Sequence, residues 1–199
     1  LSGFNGVVFP TVYDKSDSIT TLKNDPDSRY KTFGVQKSIL FKGKSSVVNG
    51  EFEFSFYVPK DINYRTGLGK ISYYAIDTGL SIDAHGYTQC YIGGAADSAN
   101  IDNEGPTVRV FLNDTLFMAG GITDENPVML AILEDESGIN TTGNGIGHDI
   151  TLIIDGDESN KVILNNNYEA ELDNYRRGTV NYPLFNLSEG EHTLEVKAW

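Results

Sequence analysis

Two segments of this chain alternate apolar and polar residues with a period of two. In the segment Glu51–Val58 every second residue is apolar, and Pro59 follows directly. The segment Thr193–Ala198 alternates in the same way after the turn dipeptide Glu189-Gly190. Because successive side chains of a β-strand point to opposite faces of a sheet, both segments are predicted strands with one face toward a core. Proline cannot donate to a strand ladder, so the first strand should end at Pro59.

Short apolar stretches between turn residues predict further strands along the rest of the chain. In the first half they cover Ser38–Lys42, Ser45–Val48, Gly69–Ile76 and Tyr87–Ile92. In the second half they cover Thr107–Leu112, Met129–Leu133, Asp149–Ile154, Lys161–Leu164, Thr179–Leu184 and His192–Ala198. Asn49-Gly50 is a dipeptide typical of two-residue hairpin turns, so a hairpin is expected there.

One stretch competes with the strand interpretation. Tyr168, Leu172 and Tyr175 recur at helical spacing, and we expect a single helical turn within residues 168–177. The N-terminal segment up to about Tyr30 is polar and aromatic without a steady period, so the pattern predicts no regular element there.

Strands joined by short turns, without a long helical stretch, predict an all-β protein of antiparallel sheets. A polar, glycine-containing stretch from Gly93 to Pro106 separates two groups of strands. We therefore expect two antiparallel Ig-like β-sandwich modules in tandem, covering residues 1–104 and 105–199. Because Trp199 ends a predicted strand without a capping turn, we expect the second module to be truncated at its C-terminus.

Charge and hydropathy exclude some partners. The 199 residues include 28 acidic and 15 basic side chains, which gives a formal net charge of -13. A negative surface potential repels polyanions, so we expect no nucleic-acid partner. No run of about 18 apolar residues occurs, so we expect no direct membrane insertion.

The glycine-rich stretch Glu134–Ile150 could be taken for a phosphate-binding loop. Such loops follow a strand and open a helix, whereas this one leads into the alternating residues of a predicted strand. The acidic residues Glu134, Asp135 and Glu136 beside it would repel phosphate. A structural loop is therefore the preferred interpretation.

One pair of short motifs resembles a cysteine-peptidase dyad. His85-Gly86 is followed closely by Gln89-Cys90, and Cys90 is the only cysteine of the chain. Caspase-like enzymes place the two groups about 50 residues apart, on different strands. A turn histidine beside a packed thiol is the preferred alternative, and no catalytic or cofactor-binding residue is predicted. No Ser-His-Asp set is recognisable in the sequence.

Acidic turns leave one cofactor alternative open, a structural calcium ion. Asp155, Asp157 and Ser159 offer oxygen ligands at alternate positions, and Asp135 with Asp149 brackets the glycine-rich stretch. Asp155-Gly156 is also a hairpin signal, and this interpretation is preferred. The three histidines lack metal-ligand spacing, so no metal-binding residue is predicted.

Several tyrosines offer a second open alternative. They could form a platform on which sugar rings stack, although half-buried packing is commoner for tyrosine in strands. The candidates are Tyr64, Tyr73, Tyr74 and Tyr87.

A family resemblance rests on motifs spread over nearly the whole chain. They are Asn5-Gly6 with Val12–Lys15, Asn49–Phe56, Val58–Ile62, Gly69–Ala75, Gly105-Pro106, the loop from Asp135 to Asp149, and His192–Leu194 with Lys197–Trp199. In these motifs the chain resembles the gingipain-like cysteine peptidases that serve as signal peptidase and sortase of the type IX secretion system in Bacteroidetes. In that family a catalytic domain precedes an Ig-like β region, and all matched residues belong to the β region.

The resemblance implies a non-catalytic accessory region of a secreted or cell-surface peptidase. The implied partners are the upstream peptidase domain and either the secretion machinery or the sorting domains of cargo proteins. The implied location is extracellular, at the outer-membrane surface of a Gram-negative bacterium. The alternative is a free-standing cell-surface adhesin or carbohydrate-binding module.

Overall fold

The computed structural model describes residues 3–60, 62–77, 79–95, 104–142 and 148–199. Within these ranges the regular structure consists of β-strands and two short 3-10 helices, Glu158–Asn160 and Asn165–Asn167. The strands of the first half are β1 (Gly6–Tyr13), β2 (Asp17–Thr20), β3 (Thr32–Val35), β4 (Ile39–Lys42), β5 (Ser45–Val47), β6 (Gly67–Asp77) and β7 (Ile82–Ile92). Those of the second half are β8 (Thr107–Leu112), β9 (Val128–Glu134), β10 (Thr151–Ile154), β11 (Val162–Ile163), β12 (Tyr168–Glu171), β13 (Asn174–Pro183) and β14 (Leu194–Lys197).

The first half is organised around one antiparallel sheet in the order β4-β1-β6-β7, with β5 also paired to β1. Strand β1 is central because it pairs with β4 and β5 on one side and with β6 on the other. Its residues Val8, Pro10 and Val12 are buried on one face. Strands β2 and β3 form a separate two-stranded ribbon.

A small apolar cluster covers the inner face of this sheet. Phe4, Val8 and Val47 form its buried centre, and Tyr73, Ala75 and Ala84 pack against them. Stacked aromatic rings extend the cluster, since Phe41 lies 4.6 Å from Phe56 and 5.8 Å from Phe54 between ring centroids.

The second half has two sheets around one larger core. One sheet has the order β12-β13-β9-β8 and the other β11-β10-β14. Met129 and Leu133 of β9 contribute from the first sheet, and Leu152 of β10 and Val196 of β14 from the second. Because side chains from both sheets share this apolar cluster, its burial stabilises their face-to-face packing.

The all-β, antiparallel prediction is confirmed. The predicted strands at Ser38–Lys42 and Gly69–Ile76 correspond to β4 and β6. Asn49 and Gly50 adopt φ angles of 53° and 84°, and Val48 and Glu51 exchange two backbone hydrogen bonds. This is the predicted two-residue hairpin turn. The boundary near residue 104 stays a prediction, and residues 96–103 lie outside the described part of the chain.

The predicted strand Glu51–Val58 is wrong beyond its first residue. Glu51 makes a β-bridge to Val48, but residues 52–58 belong to no strand. The alternation has a different cause, because Phe54 and Phe56 lie on the same side of an extended segment and stack on Phe41. Ring packing holds this segment in place of a backbone ladder.

The helical turn predicted within residues 168–177 is also wrong, because β12 and β13 form a hairpin there. Asp173 turns the chain with a φ of 57°. Tyr168 is buried whereas Leu172 is exposed, so the residues at helical spacing do not share one buried face. Strand β1 was missed because its sequence lacks clear alternation and contains Pro10.

No helix in the described ranges is long and apolar enough to span a membrane.

Candidate functional site

The outer face of β6 and β7 carries exposed tyrosines and is the main candidate binding surface. We call it the tyrosine face. It consists of Leu68, Lys70, Ser72 and Tyr74 from β6 and His85, Tyr87, Gln89 and Tyr91 from β7. Antiparallel pairing sets these residues opposite one another in the pairs Tyr74–His85, Ser72–Tyr87, Lys70–Gln89 and Leu68–Tyr91. Tyr87 and Tyr91 are 74% and 77% exposed.

Of the four tyrosines named as sugar-platform candidates, two lie on this face. Tyr74 and Tyr87 share it. Tyr73 lies on the opposite face and contacts Phe52 and Phe54 in the inner cluster. Tyr64 lies outside the strands, where its hydroxyl donates to the carbonyl oxygen of Lys60 at 2.7 Å. Tyr91 was missed, although period-two spacing from Tyr87 would have placed it on the same face.

His85 and Cys90 do not form a dyad. Both lie on β7, which pairs with β6 in continuous register over its whole length. Five residues of extended strand separate Cα atoms by about 16 Å, and an odd spacing sends the side chains to opposite faces. Cys90 is a half-buried free thiol, but His85 lies within β7 and not in the turn that was predicted for it.

A Ser-His-Asp arrangement that the sequence did not reveal occurs at the start of β14. His192 Nδ1 lies 2.7 Å from Asp155 Oδ2, and His192 Nε2 lies 3.3 Å from Ser188 Oγ. However, Nε2 is also 2.8 Å from the carbonyl oxygen of Ser188, which can only accept. Nε2 must therefore donate to that carbonyl, which leaves it no lone pair to take a proton from the Ser188 hydroxyl.

The cluster instead stabilises the turn before β14 through an ion pair between His192 and Asp155. The hydrogen bond to Asp155 and the one to the Ser188 carbonyl raise the pKa of His192. The backbone N–H of Thr193, together with His192, lowers the pKa of Asp155. The ion pair ties the turn before β14 to the end of β10.

The acidic turn Asp155–Ser159 is a hairpin turn, as the preferred interpretation expected. Asp155 and Gly156 both have positive φ angles, and the Asp157 N–H donates to the carbonyl oxygen of Ile154. The Asp157 carboxylate accepts from Ser159 and Asn160, and these hydrogen bonds lower its pKa. Both aspartates are thus engaged by donors from the protein itself.

Asp135 and Asp149, the second candidate pair of calcium ligands, also accept hydrogen bonds from the protein. Asp149 Oδ1 accepts from Asn165 Nδ2 at 3.0 Å, and Asp135 Oδ1 accepts from the Ser137 N–H at 2.8 Å. In the described ranges no group of three or more His, Cys, Asp or Glu side chains could hold a metal ion.

The described part of the glycine-rich stretch is tied to its surroundings. Gly138 has a φ of 86° and lies against Tyr175, where a side chain would be crowded. The Asn140 N–H donates to the Trp199 carbonyl, and the His148 and Trp199 rings lie 4.9 Å apart. Gly143, Gly145 and Gly147 lie outside the described residues.

Asp173 joins the two halves of the chain. Its carboxylate accepts hydrogen bonds from the Ser46 N–H at 2.7 Å and the Ser46 hydroxyl at 2.6 Å, and it lies 3.0 Å from the Ser45 hydroxyl. These bonds lower the pKa of Asp173, with the Ser46 hydroxyl as the largest cause. The Asp173 N–H donates in turn to the carbonyl oxygen of Lys44. We call this contact the Asp173 junction.

Neighbouring contacts reinforce the Asp173 junction. Lys44 Nζ pairs with Glu169 Oε2 at 2.6 Å, which lowers the pKa of Glu169. The rings of Tyr57 and Tyr175 meet edge to face at 5.8 Å. A cavity of about 240 Å³ lies between the halves, and Phe41, Phe54 and Tyr175 form part of its wall.

Comparison with known proteins identifies a similar solved structure. No protein-family model and no curated protein matches the chain. The crystal structure of dimeric latent PorU from Porphyromonas gingivalis is 33% identical to it, with a TM-score of 0.49. The match covers 98% of this chain and 18% of that one, so the chain spans less than a fifth of the length of PorU.

Proposed function

We propose that this chain is a non-catalytic accessory β region of a longer, secreted or surface-held cysteine peptidase of the gingipain-like, type IX secretion kind. In this role it positions the peptidase domain and docks the secretion machinery or the sorting domains of cargo. The motif resemblance from Asn5-Gly6 to Lys197–Trp199 supports the family assignment within this proposal.

The observation that carries the positioning role is the Asp173 junction. A spacer can orient a neighbouring domain only if its own parts are fixed to one another. Three kinds of contact fix the two halves to each other. They are the hydrogen bonds from Ser45 and Ser46 to Asp173, the Lys44–Glu169 ion pair and the Tyr57–Tyr175 ring contact. Loosely linked modules would lack such interlocking contacts.

The geometry of the candidate catalytic residues agrees with a non-catalytic role. His85 and Cys90 point to opposite faces of β7. The imidazole of His192 donates from Nε2 and cannot act as the base for Ser188.

Hydrolysis and binding assays test the proposal together. The purified chain is incubated with Arg- and Lys-containing reporter peptides, and no hydrolysis is expected. It is then immobilised and titrated by surface plasmon resonance with a gingipain-type peptidase domain and with a cargo sorting domain. Saturable binding to at least one of them is expected.

Two results would overturn the proposal. One is hydrolysis that disappears in Cys90→Ala, because the chain would then be an enzyme in its own right. The other is the absence of binding to both proteins when circular dichroism shows the chain to be folded.

A further inference from the structure

The rings of Tyr87 and Tyr91 stand on an open surface. Both side chains point to the outer face of β7, and neither makes a hydrogen bond or a ring-stacking contact within the described ranges. Tyrosine has a large apolar ring with one polar end, and it usually packs at least partly when it lies in a sheet. Because both rings are about three-quarters exposed, they leave two aromatic surfaces open to a ligand.

Polar side chains interrupt the aromatic residues of the tyrosine face. His85 and Gln89 flank Tyr87 along its strand, and Ser72 lies opposite it. Gln89 also separates Tyr87 from Tyr91. The buried centre of a protein-protein interface is usually a contiguous, mostly apolar patch with a polar rim. The tyrosine face has instead a hydrogen-bonding side chain opposite two of its three rings, since Tyr74 pairs with His85 and Tyr87 with Ser72, while Tyr91 pairs with Leu68.

This pattern fits the surface chemistry of a sugar. A pyranose ring has a C–H face that packs on an aromatic ring and hydroxyl groups around its edge that need hydrogen-bonding partners. The amide of Gln89 both donates and accepts, and it lies between the two tyrosines. Tyr87 and Tyr91 are four residues apart on a regular strand, so their Cα atoms are separated by about 13 Å.

The charges of the face favour a neutral ligand. Lys70 is the lysine of this face, and its ammonium group lies 4.5 Å from the centre of the Tyr13 ring. Asp83 lies two residues before His85 on the same side of β7 and interacts with Tyr74. One cation and one carboxylate offset each other, whereas the whole chain carries a net charge of -13.

We propose that the tyrosine face binds a neutral linear glycan that lies along β7, with sugar rings stacked on Tyr87 and Tyr91 and hydroxyl groups bonded to Gln89. The continuous pairing of β6 with β7, without a bulge, keeps the platform regular under such a ligand. This binding site goes beyond the accessory role and does not depend on it.

Affinity electrophoresis tests the site with four soluble neutral polysaccharides: a mixed-linkage β-glucan, a xyloglucan, an α-mannan and a dextran. The full chain should be retarded by at least one of them. Loss of one stacked ring should weaken binding about tenfold, so Tyr87→Ala and Tyr91→Ala should each shift the retardation curve by about that factor. Gln89→Ala should also weaken binding, with no change in the melting temperature.

Tyr30→Ala provides a matched control, because Tyr30 is 70% exposed but lies outside the tyrosine face. It should bind like the unmodified chain. The proposal is overturned if none of the four polysaccharides retards the chain, or if the double variant Tyr87→Ala/Tyr91→Ala is retarded equally. Loss of peptidase-domain binding in that double variant, without glycan binding by the unmodified chain, would identify the face as a protein-docking surface and contradict the glycan site.

Discussion

At the scale of single residues, hydrogen-bond geometry decides what each polar cluster can do. The atoms of Ser188, His192 and Asp155 have the order of a catalytic triad. The carbonyl oxygen of Ser188 changes the interpretation, because it requires His192 to donate from Nε2. The same three residues therefore stabilise a turn and do not activate a nucleophile.

The His192–Asp155 pair should make stability depend on pH above neutrality. His192 has a raised pKa in the folded chain, so its stabilising contribution is complete below its unfolded pKa of about 6.5 and is lost as the pH rises through the folded value. Between pH 6 and pH 9, the unfolding free energy of the native chain should fall relative to that of His192→Gln. Urea denaturation at both pH values measures this difference, and parallel behaviour of the two proteins would contradict it.

Asp155 of the same pair should make stability depend on pH in the acidic range, where stability should fall as the pH falls. Asp155 has a lowered pKa, so its contribution is present above its unfolded pKa and is lost as the pH falls through the folded value. Asp155→Asn should remove this loss and should also bring the pKa of His192 down. Proton NMR of the His192 ring across pH 5 to 9 follows that second effect directly.

Asp173 should stabilise the fold through its contacts with β5. Asp173→Ala removes the acceptor for two Ser46 donors and places alanine at a φ of 57°, so we expect a loss of about 1–2 kcal/mol in unfolding free energy. Asp173→Asn keeps one acceptor oxygen and tolerates this φ, so it should lose less. Equal stability of all three proteins in urea denaturation would show that the contact contributes nothing.

At the scale of elements, the sequence predicted strands well where one face of the strand meets a core. Val196 of β14 alternates with the polar neighbours Glu195 and Lys197 and packs against the shared apolar cluster. The prediction failed at Glu51–Val58 because alternating phenylalanines can stack on a sheet without joining its ladder. It failed at β1 because Val7, Val8, Phe9 and Pro10 form a continuous apolar run, so the sequence does not show the alternating burial that this strand has in the structure.

The tyrosine face was only partly predictable, because the sequence does not show which face of a strand stays exposed. Period-two spacing places Tyr87 and Tyr91 on one face of β7, but the sequence does not say which face stays uncovered. Only the pairing register shows that Tyr74 joins them while Tyr73 packs inside. The His192 cluster was hidden because its members are brought together by the pairing of β10 with β14.

The turn between β10 and β11 should not depend on calcium. Protein donors already bond to both carboxylate oxygens of Asp155 and of Asp157. Removing divalent cations with EDTA should therefore leave the melting temperature unchanged, since a bound ion would stabilise the folded state. A rise in melting temperature with added calcium that disappears in Asp157→Asn would instead establish a structural calcium ion here.

At the scale of the whole molecule, the chain combines a large shared core in its second half with a smaller cluster in its first. The Asp173 junction connects the two through β5 and the β12–β13 turn. This arrangement suits a rigid spacer. The positioning role proposed for the chain therefore depends on the junction.

The most direct test uses the longer peptidase of which we propose this chain to be a part. Its cleavage of a cargo sorting domain and of a small reporter peptide is measured for the native protein, Asp173→Asn and Asp173→Ala. If the junction positions the peptidase domain, Asp173→Ala should cleave the sorting domain several-fold more slowly, Asp173→Asn should lose less, and the small peptide should be cleaved equally by all three. Equal rates on the sorting domain, with the Asp173→Ala protein shown to be folded, would contradict the positioning role.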